Sequence, residues 1–252
     1  MNPTGNVRNA ADLPKPLAEK VALVTGGSRG IGKAIAQKLA ALGADVAICG
    51  RNEDLLKRTA REIESLGVRV HAQKADVSRN SDVTLLVQAT EKKLGPISIL
   101  VNNAGIGMFG PVYEKSEEDW DGVMNTNLKS VFLATRAVAP GMIARKSGDI
   151  VNISSLAGKN TFAGGALYCA SKWGLQGLTG CMAEDLRGFG IRVSAICPGS
   201  VATEFSGRGP KDPSKVLTAE DVAHAVAMVV TQGAQSFIRE VDLRPVGKPG
   251  AK

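Results

Sequence analysis

Tyr168 and Lys172 stand four residues apart, a spacing that brings both side chains to one face of a helix. A phenol with a pKa of about 10 is a poor base at neutral pH. An ammonium one turn away favours the phenolate, which predicts a tyrosine able to take or give a proton in a useful range. Ser155 follows the apolar run Asp149-Ile-Val-Asn-Ile153, thirteen residues before Tyr168. Its hydroxyl can donate to a substrate carbonyl while Tyr168 delivers or removes the proton. A Tyr-x-x-x-Lys pair alone recurs on ordinary amphipathic helices. A serine at the end of the preceding strand turns it into a candidate catalytic set for carbonyl and alcohol interconversion.

A second cluster could hold phosphate. In Thr25-Gly-Gly-Ser-Arg-Gly-Ile-Gly32, the residues Gly26, Gly30 and Gly32 frame Ser28, Arg29 and Ile31 where an apolar run gives way to helical period. The glycines let backbone approach a ligand, and a helix N-terminus offers free N–H groups and positive dipole to a pyrophosphate. The spacing is Gly-x-x-x-Gly-x-Gly, not the more familiar Gly-x-Gly-x-x-Gly. Folds that select NAD usually end the second strand on an acid that binds ribose hydroxyls. Here that place reads Cys49-Gly50-Arg51-Asn52. Arg51 can pair with a 2′-phosphate as a planar fork, and Arg29 is a second candidate. The expected cofactor is NADP(H).

These residues need elements to position them. Strand-length apolar runs at Lys20–Thr25, Asp45–Cys49, Val68–Ala72, Ile97–Val101, Asp149–Ile153, Ile191–Cys197 and Ser236–Leu243 alternate with helical segments. The helices are expected over Ile31–Leu42, Leu55–Leu66, Val83–Leu94, Glu117–Ala144, Ala166–Arg187 and Ala219–Val230. Pro140 should kink the fourth of these or end a segment. Thr218 opens the last one, with Glu220 and Asp221 at its positive end. Such alternation implies an α/β fold: one domain with a doubly wound parallel seven-stranded sheet of Rossmann type, helices on both faces. The domain is expected over 17–246, with a loose N-terminal tail over 1–16 and a short C-terminal tail over 247–252.

The motifs, taken in order, resemble those of the classical short-chain dehydrogenase/reductase family over about Leu17 to Val246. They are Thr25–Gly32, Asp76-Val77, Asn102-Asn103-Ala104-Gly105, Asn127, Ser155, Tyr168 with Lys172, and Pro198-Gly199. The resemblance implies that Asn127 joins Ser155, Tyr168 and Lys172 as a catalytic residue, perturbing its helix and holding a water that links to Lys172. It implies that Lys172, with Tyr168, contacts the nicotinamide ribose. Asn102, Asn103, Ala104 and Gly105 would line the adenosine-ribose side and steady the fourth strand. Asp76 and Val77 would meet the adenine. Pro198, Gly199, Val201 and Thr203 would flank the nicotinamide amide and diphosphate. In this family the segment Ala202–Lys215 is a lid over the substrate. Met108, Phe109, Leu156, Phe162 and Phe205 are candidates for an apolar substrate wall or for plain core. The family also implies a homotetramer in which the two long helices pack across a dimer interface.

Within the family, Ser28–Gly32, Arg51 and Asp149–Ser155 resemble 3-oxoacyl-carrier-protein reductases of fatty-acid biosynthesis. Two departures weaken that likeness. Ile238–Pro245 replaces a strand ending in a glycine pair, and Phe189 stands where a basic residue would hold an acyl-carrier protein. Lys146, Arg208, Lys211 and Lys215 are the remaining candidates for a basic landing patch beside the active-site mouth. A generic carbonyl reductase or an alcohol or sugar dehydrogenase is the alternative. A non-catalytic nucleotide-binding regulator is the remote one, since such proteins usually break the Ser–Tyr–Lys set, which is complete here.

Composition narrows the rest. The 252 residues carry 31 Lys and Arg against 24 Asp and Glu, a net charge of +7. The basic residues are scattered among acids, so nucleic acid is not an expected partner. No apolar run reaches the roughly 18 residues of a membrane span, so no membrane partner is expected either. Cys49, Cys169, Cys181 and Cys197 show no Cys-x-x-Cys spacing, so no metal is expected and reduced thiols are. With no apolar leader visible at the N-terminus, the expected location is cytoplasmic.

Overall fold

The computed structural model describes residues 15–206 and 215–247. The two expected tails lie almost wholly outside the described residues, as do residues 207–214 of the expected lid. Strand β1 (Val21–Thr25) leads into α1 (Gly30–Ala41), β2 (Asp45–Gly50) into α2 (Glu53–Glu64), and β3 (Val70–Lys74) into α3 (Asn80–Leu94). β4 (Ile97–Asn102) is followed by α4 (Glu117–Met124) and α5 (Ser130–Arg145), β5 (Gly148–Ile153) by α6 (Ala166–Arg187), and β6 (Ile191–Pro198) by α7 (Ala219–Val230). β7 (Glu240–Leu243) completes a seven-stranded sheet of order 3-2-1-4-5-6-7. Every pairing is parallel.

Side-chain alternation explains the two layers. Ala22 and Val24 pack toward Ile35 and Leu39 of α1 and Val222 and Val226 of α7. Val21 and Leu23 face the other way, toward Leu86 of α3, Val138 of α5 and Leu175 of α6. A strand apolar on both faces is what a sheet covered on two sides requires. The chain reverses winding between β1 and β4, so the connections that leave their carboxyl ends run to opposite faces and leave the crevice where open α/β sheets bind ligands. Among the described residues, no helix is long and apolar enough to cross a membrane.

α6 and α7 occupy the expected spans, and a Thr218–Asp221 capping box opens α7. Other expectations change in detail, and the last strand begins at Glu240, four residues later than expected. Glu117–Ala144 is helical throughout, as expected, but a π-turn over Asn125–Lys129 lies between α4 and α5. Pro140 neither ends nor interrupts α5, which runs on to Arg145. Pro140 and Arg136, whose carbonyl loses its partner, are both exposed, so water can take that carbonyl. β3 begins and ends two residues later than expected. Asp45 grips the Arg69 backbone and guanidinium just before the strand, and the edge position lets polar Gln73 and Lys74 continue the ladder.

Candidate active site

Ser155, Tyr168 and Lys172 meet at the carboxyl edge of β5. Ser155 is extended, and its Oγ accepts the Ala157 N–H at 3.1 Å, capping a short turn. Tyr168 and Lys172 project from the first two turns of α6, and the Ser155 hydroxyl, near enough to Tyr168 to favour its phenolate, donates to the Pro198 carbonyl at 3.4 Å. Lys172 is buried, with Nζ 5.8 Å from the Tyr168 ring centroid and donating to the Ile153 carbonyl at 2.9 Å.

The electrostatics correct one expectation. Burial pushes the Tyr168 phenol up to about 12, against the smaller opposing pull of Ser155. Burial also pushes Lys172 down to about 8. Desolvation of both groups outweighs the attraction that would favour a phenolate. At neutral pH Tyr168 is therefore a neutral phenol, a proton donor.

Asn127 lies in the π-turn and is 1% exposed, too little for contact with bulk water. Its Nδ2 donates to the Ile106 carbonyl at 2.9 Å and to Ser171 Oγ at 3.1 Å, while Oδ1 accepts the Ile106 N–H at 2.8 Å. Ser171 in turn donates to the Tyr168 carbonyl at 2.8 Å. Asn127 thus ties the loop after β4 to the helix that carries Tyr168. The helix perturbation expected at this residue is present. Its direct partner is Ser171, a residue with no motif to announce it.

The phosphate loop sits where β1 meets α1. Gly26 and Gly30 adopt φ of +65° and +54°, the left-handed region that favours glycine. Gly32 is needed for a different reason, since a Cβ there would run into the Gly26 carbonyl oxygen and the Asn103 amide. Asn103 braces the loop by donating to the carbonyls of Thr25 and Gly26 at 2.9 and 3.2 Å. Thr25 Oγ1 accepts the N–H groups of Asn103 and Ala104. Gly105 approaches Asn127 instead, so this four-residue motif serves two neighbours. Asn102 points into the core and donates to Asn152 at 2.8 Å, locking β4 to β5 away from the ribose side expected for it.

The N-terminus of α1 lacks both a side-chain cap and an acid in its first turn, whereas α2, α4 and α7 have both. Its uncompensated N–H groups fit a diphosphate. Ser28 lies beside Gly50, where a Cβ would come within 3.1 Å of its Oγ, and Arg51 follows on the surface. Burial raises the Asp76 carboxyl, but hydrogen bonds from Ser78 and the charges of Arg51 and Arg79 outweigh it and hold it low. Asp76 and Val77 thus stand next to the end of β2. Arg29 pairs with Glu204 at 2.8 Å, both side chains exposed, which leaves Arg51 the better placed fork. A 2′-phosphorylated dinucleotide fits this ground.

At the other end of the crevice, Pro198 ends β6, Gly199 is held by the Leu243 carbonyl at 2.8 Å, and Val201 bridges Leu217. Thr203 overhangs Gly30, with its methyl 3.5 Å from where a Cβ would stand. Ile31 is half-buried against the α1 side of the core. Leu156 approaches Gly199, and Phe109 and Phe205 flank Tyr168.

Lys146 does not stand at the mouth where the expected basic patch would need it. Lys146 precedes β5 and Phe189 precedes β6, and in a parallel sheet both stand at the amino edge. Ser155 lies at the opposite edge, roughly 20 Å away along a six-residue strand. Arg208 and Lys211 lie outside the described residues. Among the described residues, no group of three His, Cys, Asp or Glu side chains could hold a metal ion.

A profile described as short chain dehydrogenase matches residues 20–213. Ketoacyl reductase 1 of the granaticin polyketide synthase of Streptomyces violaceoruber, whose name carries that activity provisionally, is 43% identical over 201 residues, covering 79% of this chain and 74% of its own. A metagenomic short-chain oxidoreductase solved with NADP superposes with a TM-score of 0.83 at 43% identity, covering 92% of this chain and 100% of that one. An alcohol dehydrogenase from the archaeon Thermococcus sibiricus, complexed with 5-hydroxy-NADP, gives 0.86 at 29% identity over 92% of this chain and 99% of that one.

Proposed function

This chain belongs to the short-chain dehydrogenase family, and we propose on that footing that it is an NADPH-dependent reductase of ketones, with 3-oxoacyl thioesters the favoured substrates. What supports the reading is the placing of Ser155, Tyr168 and buried Lys172 together at the open edge of the sheet, where burial holds the Tyr168 phenol up. NADPH, when bound, would supply the hydride that reduces the carbonyl carbon. Ser155 donates a hydrogen bond to the carbonyl oxygen and orients it. Tyr168 gives its proton to that oxygen as negative charge develops there, completing the alcohol. Lys172 holds the ribose hydroxyls and stabilises the phenolate left behind. Lys172 then returns a proton to Tyr168, and Asn127 anchors the helix that carries both through Ser171.

The uncapped α1 N-terminus, Gly26, Gly30 and Ser28 hold the diphosphate side, and Arg51 receives the 2′-phosphate. Pro198, Gly199, Val201 and Thr203 close on the nicotinamide end, with Asp76, Val77 and Asn103 to Gly105 toward the adenosine. The granaticin relative supports the 3-oxoacyl reading. The Thermococcus relative supports the second one, a carbonyl reductase or alcohol dehydrogenase with no carrier protein. Because Lys146 stands at the wrong edge, we do not make a carrier protein an obligatory partner.

Trp120, Phe132 and Trp173 expose apolar surface on α4, α5 and α6, which supports a homotetramer built across those helices. The four unpaired cysteines support a reducing compartment, the cytoplasm. The test is cofactor oxidation, read by absorbance, across 3-oxoacyl thioesters and small ketones. NADPH should be oxidised and NADH should serve poorly, and Arg51→Asp should reverse that preference. Tighter binding of NADH than NADPH by the unaltered protein sinks the cofactor assignment.

A further inference from the structure

We infer that the substrate ketone carries an aromatic or other planar apolar group, received by a wall of Phe109, Phe162 and Phe205 around Tyr168. The inference rests on the reductase reading and names the substrate class of that same site. The chain has only six phenylalanines, and three of them converge here from separate loops. Phe109 comes from the loop after β4, Phe162 from the loop after β5, and Phe205 from the turn after β6. All three loops leave the carboxyl edge of the sheet.

Phe109 meets Tyr168 edge-on, with centroids 5.5 Å apart and planes at 62°. Phe205 lies against Tyr168 at 5.8 Å and 59°. Phe162 extends the wall from Phe109 at 6.1 Å. The reacting hydroxyl is thus carried on a ring with phenylalanines packed around it.

Gly107 is part of the device. A Cβ there would come within 2.7 Å of Phe109 and 2.9 Å of Phe205. Its φ lies outside the left-handed range, so the backbone does not require glycine, but a side chain there would displace the tips of both rings. Phe205 stands next to Glu204, which pairs with Arg29 of the phosphate loop, and close to Thr203, which overhangs Gly30.

The wall is not a sealed core. Phe162 is 46% and Phe205 41% exposed, so much of each ring remains free to cover a ligand. A planar apolar group buries that surface and meets ring edges and faces at favourable angles. A polyhydroxylated ketone would press hydroxyls against rings that offer no in-plane hydrogen-bond partner, at a desolvation cost.

The experiment compares matched N-acetylcysteamine thioesters, 3-oxo-3-phenylpropanoyl against 3-oxobutanoyl, with a keto-sugar acid as the polar control. The phenyl substrate should be favoured in kcat/KM by about tenfold or more, the scale of one added aromatic contact with its burial. Phe162→Ala and Phe205→Ala should bring the ratio close to one, and Gly107→Ala should lower it. NADPH fluorescence on binding checks that each variant is folded, and Phe162→Leu and Phe205→Leu answer the same question if an alanine variant is not. Equal or better turnover of the methyl or polar substrate, or a ratio that survives both phenylalanine replacements, overturns the inference. Turnover of no ketone at all overturns the reductase reading instead. In that event, acetophenone binding by ligand-observed NMR judges the wall alone. Binding lost in Phe205→Ala upholds it, and no binding by the unaltered protein overturns it.

Discussion

Tyr168 and Lys172 are both pushed toward their neutral forms by burial, and the two shifts serve opposite ends of the proton's path. A phenol held up at about 12 keeps its proton until charge develops on the substrate oxygen. Tyr168→Phe deletes that donor and little else. Folding and NADPH binding should survive while turnover falls about a hundredfold or more, the scale of lost general acid catalysis. Near-normal turnover would remove Tyr168 from its role. Lys172 makes a prediction about stability. Its folded pKa of about 8 lies below the ordinary 10.5, so between those values the unfolded chain holds a proton that the folded one lacks. Stability then rises with pH across that window, by on the order of 3 kcal/mol. Below pH 8 the cost of burying the charge is paid in full. Lys172→Met removes this dependence. Urea titrations at pH 7.5 and pH 10 should show the unaltered protein gaining on the methionine variant at the higher pH. A constant difference between the two would mean that Lys172 is not desolvated in the fold.

The π-turn shows how an element can carry function that periodicity hides. One extra residue per turn disturbs the apolar spacing of Glu117–Ala144 too little to break a helical pattern, so the region reads as continuous. The turn is kept by Asn127, whose amide answers both the N–H and the carbonyl of Ile106 and reaches Ser171. Asn127→Ala leaves those half-buried backbone groups without their partner, at a cost of about 1 kcal/mol or more. Turnover should drop at least tenfold, because the loop after β4 and the start of α6 lose their common anchor. Unchanged urea stability would show that the turn is held by something else. Elsewhere the sequence was more forthcoming. Thr218, followed by Glu220 and Asp221, announced α7 because a cap is a local device. The glycine loop was equally plain, although Gly32 turned out to be required by crowding and not by backbone angle. The phenylalanine wall was legible only as a set of candidates. Its members lie on three loops, and nothing along the chain says that those loops converge on one ring.

At the scale of the molecule, the parallel sheet decides which charges can influence the site. Every loop that follows a strand opens on the crevice, and every loop that precedes one opens on the far edge. That rule was available once seven parallel strands were expected, and it already places Lys146 and Phe189 away from Ser155. Lys146 is thereby taken out of the expected landing patch, and each cation lost from the mouth weakens steering toward an acidic carrier. Reduction of a 3-oxoacyl group on a carrier protein and on a carrier-free thioester should therefore fall by similar factors as salt is raised from about 50 to 500 mM, a range that shortens the Debye length severalfold. The comparison uses kcat/KM, since steering acts on encounter and not on the chemical step. A carrier-linked substrate that loses about tenfold or more while the free thioester is spared would show that charge on this protein does recruit the carrier. The recruiting residues would then have to lie near the carboxyl edge, and Lys215→Glu would be the first replacement to abolish the difference.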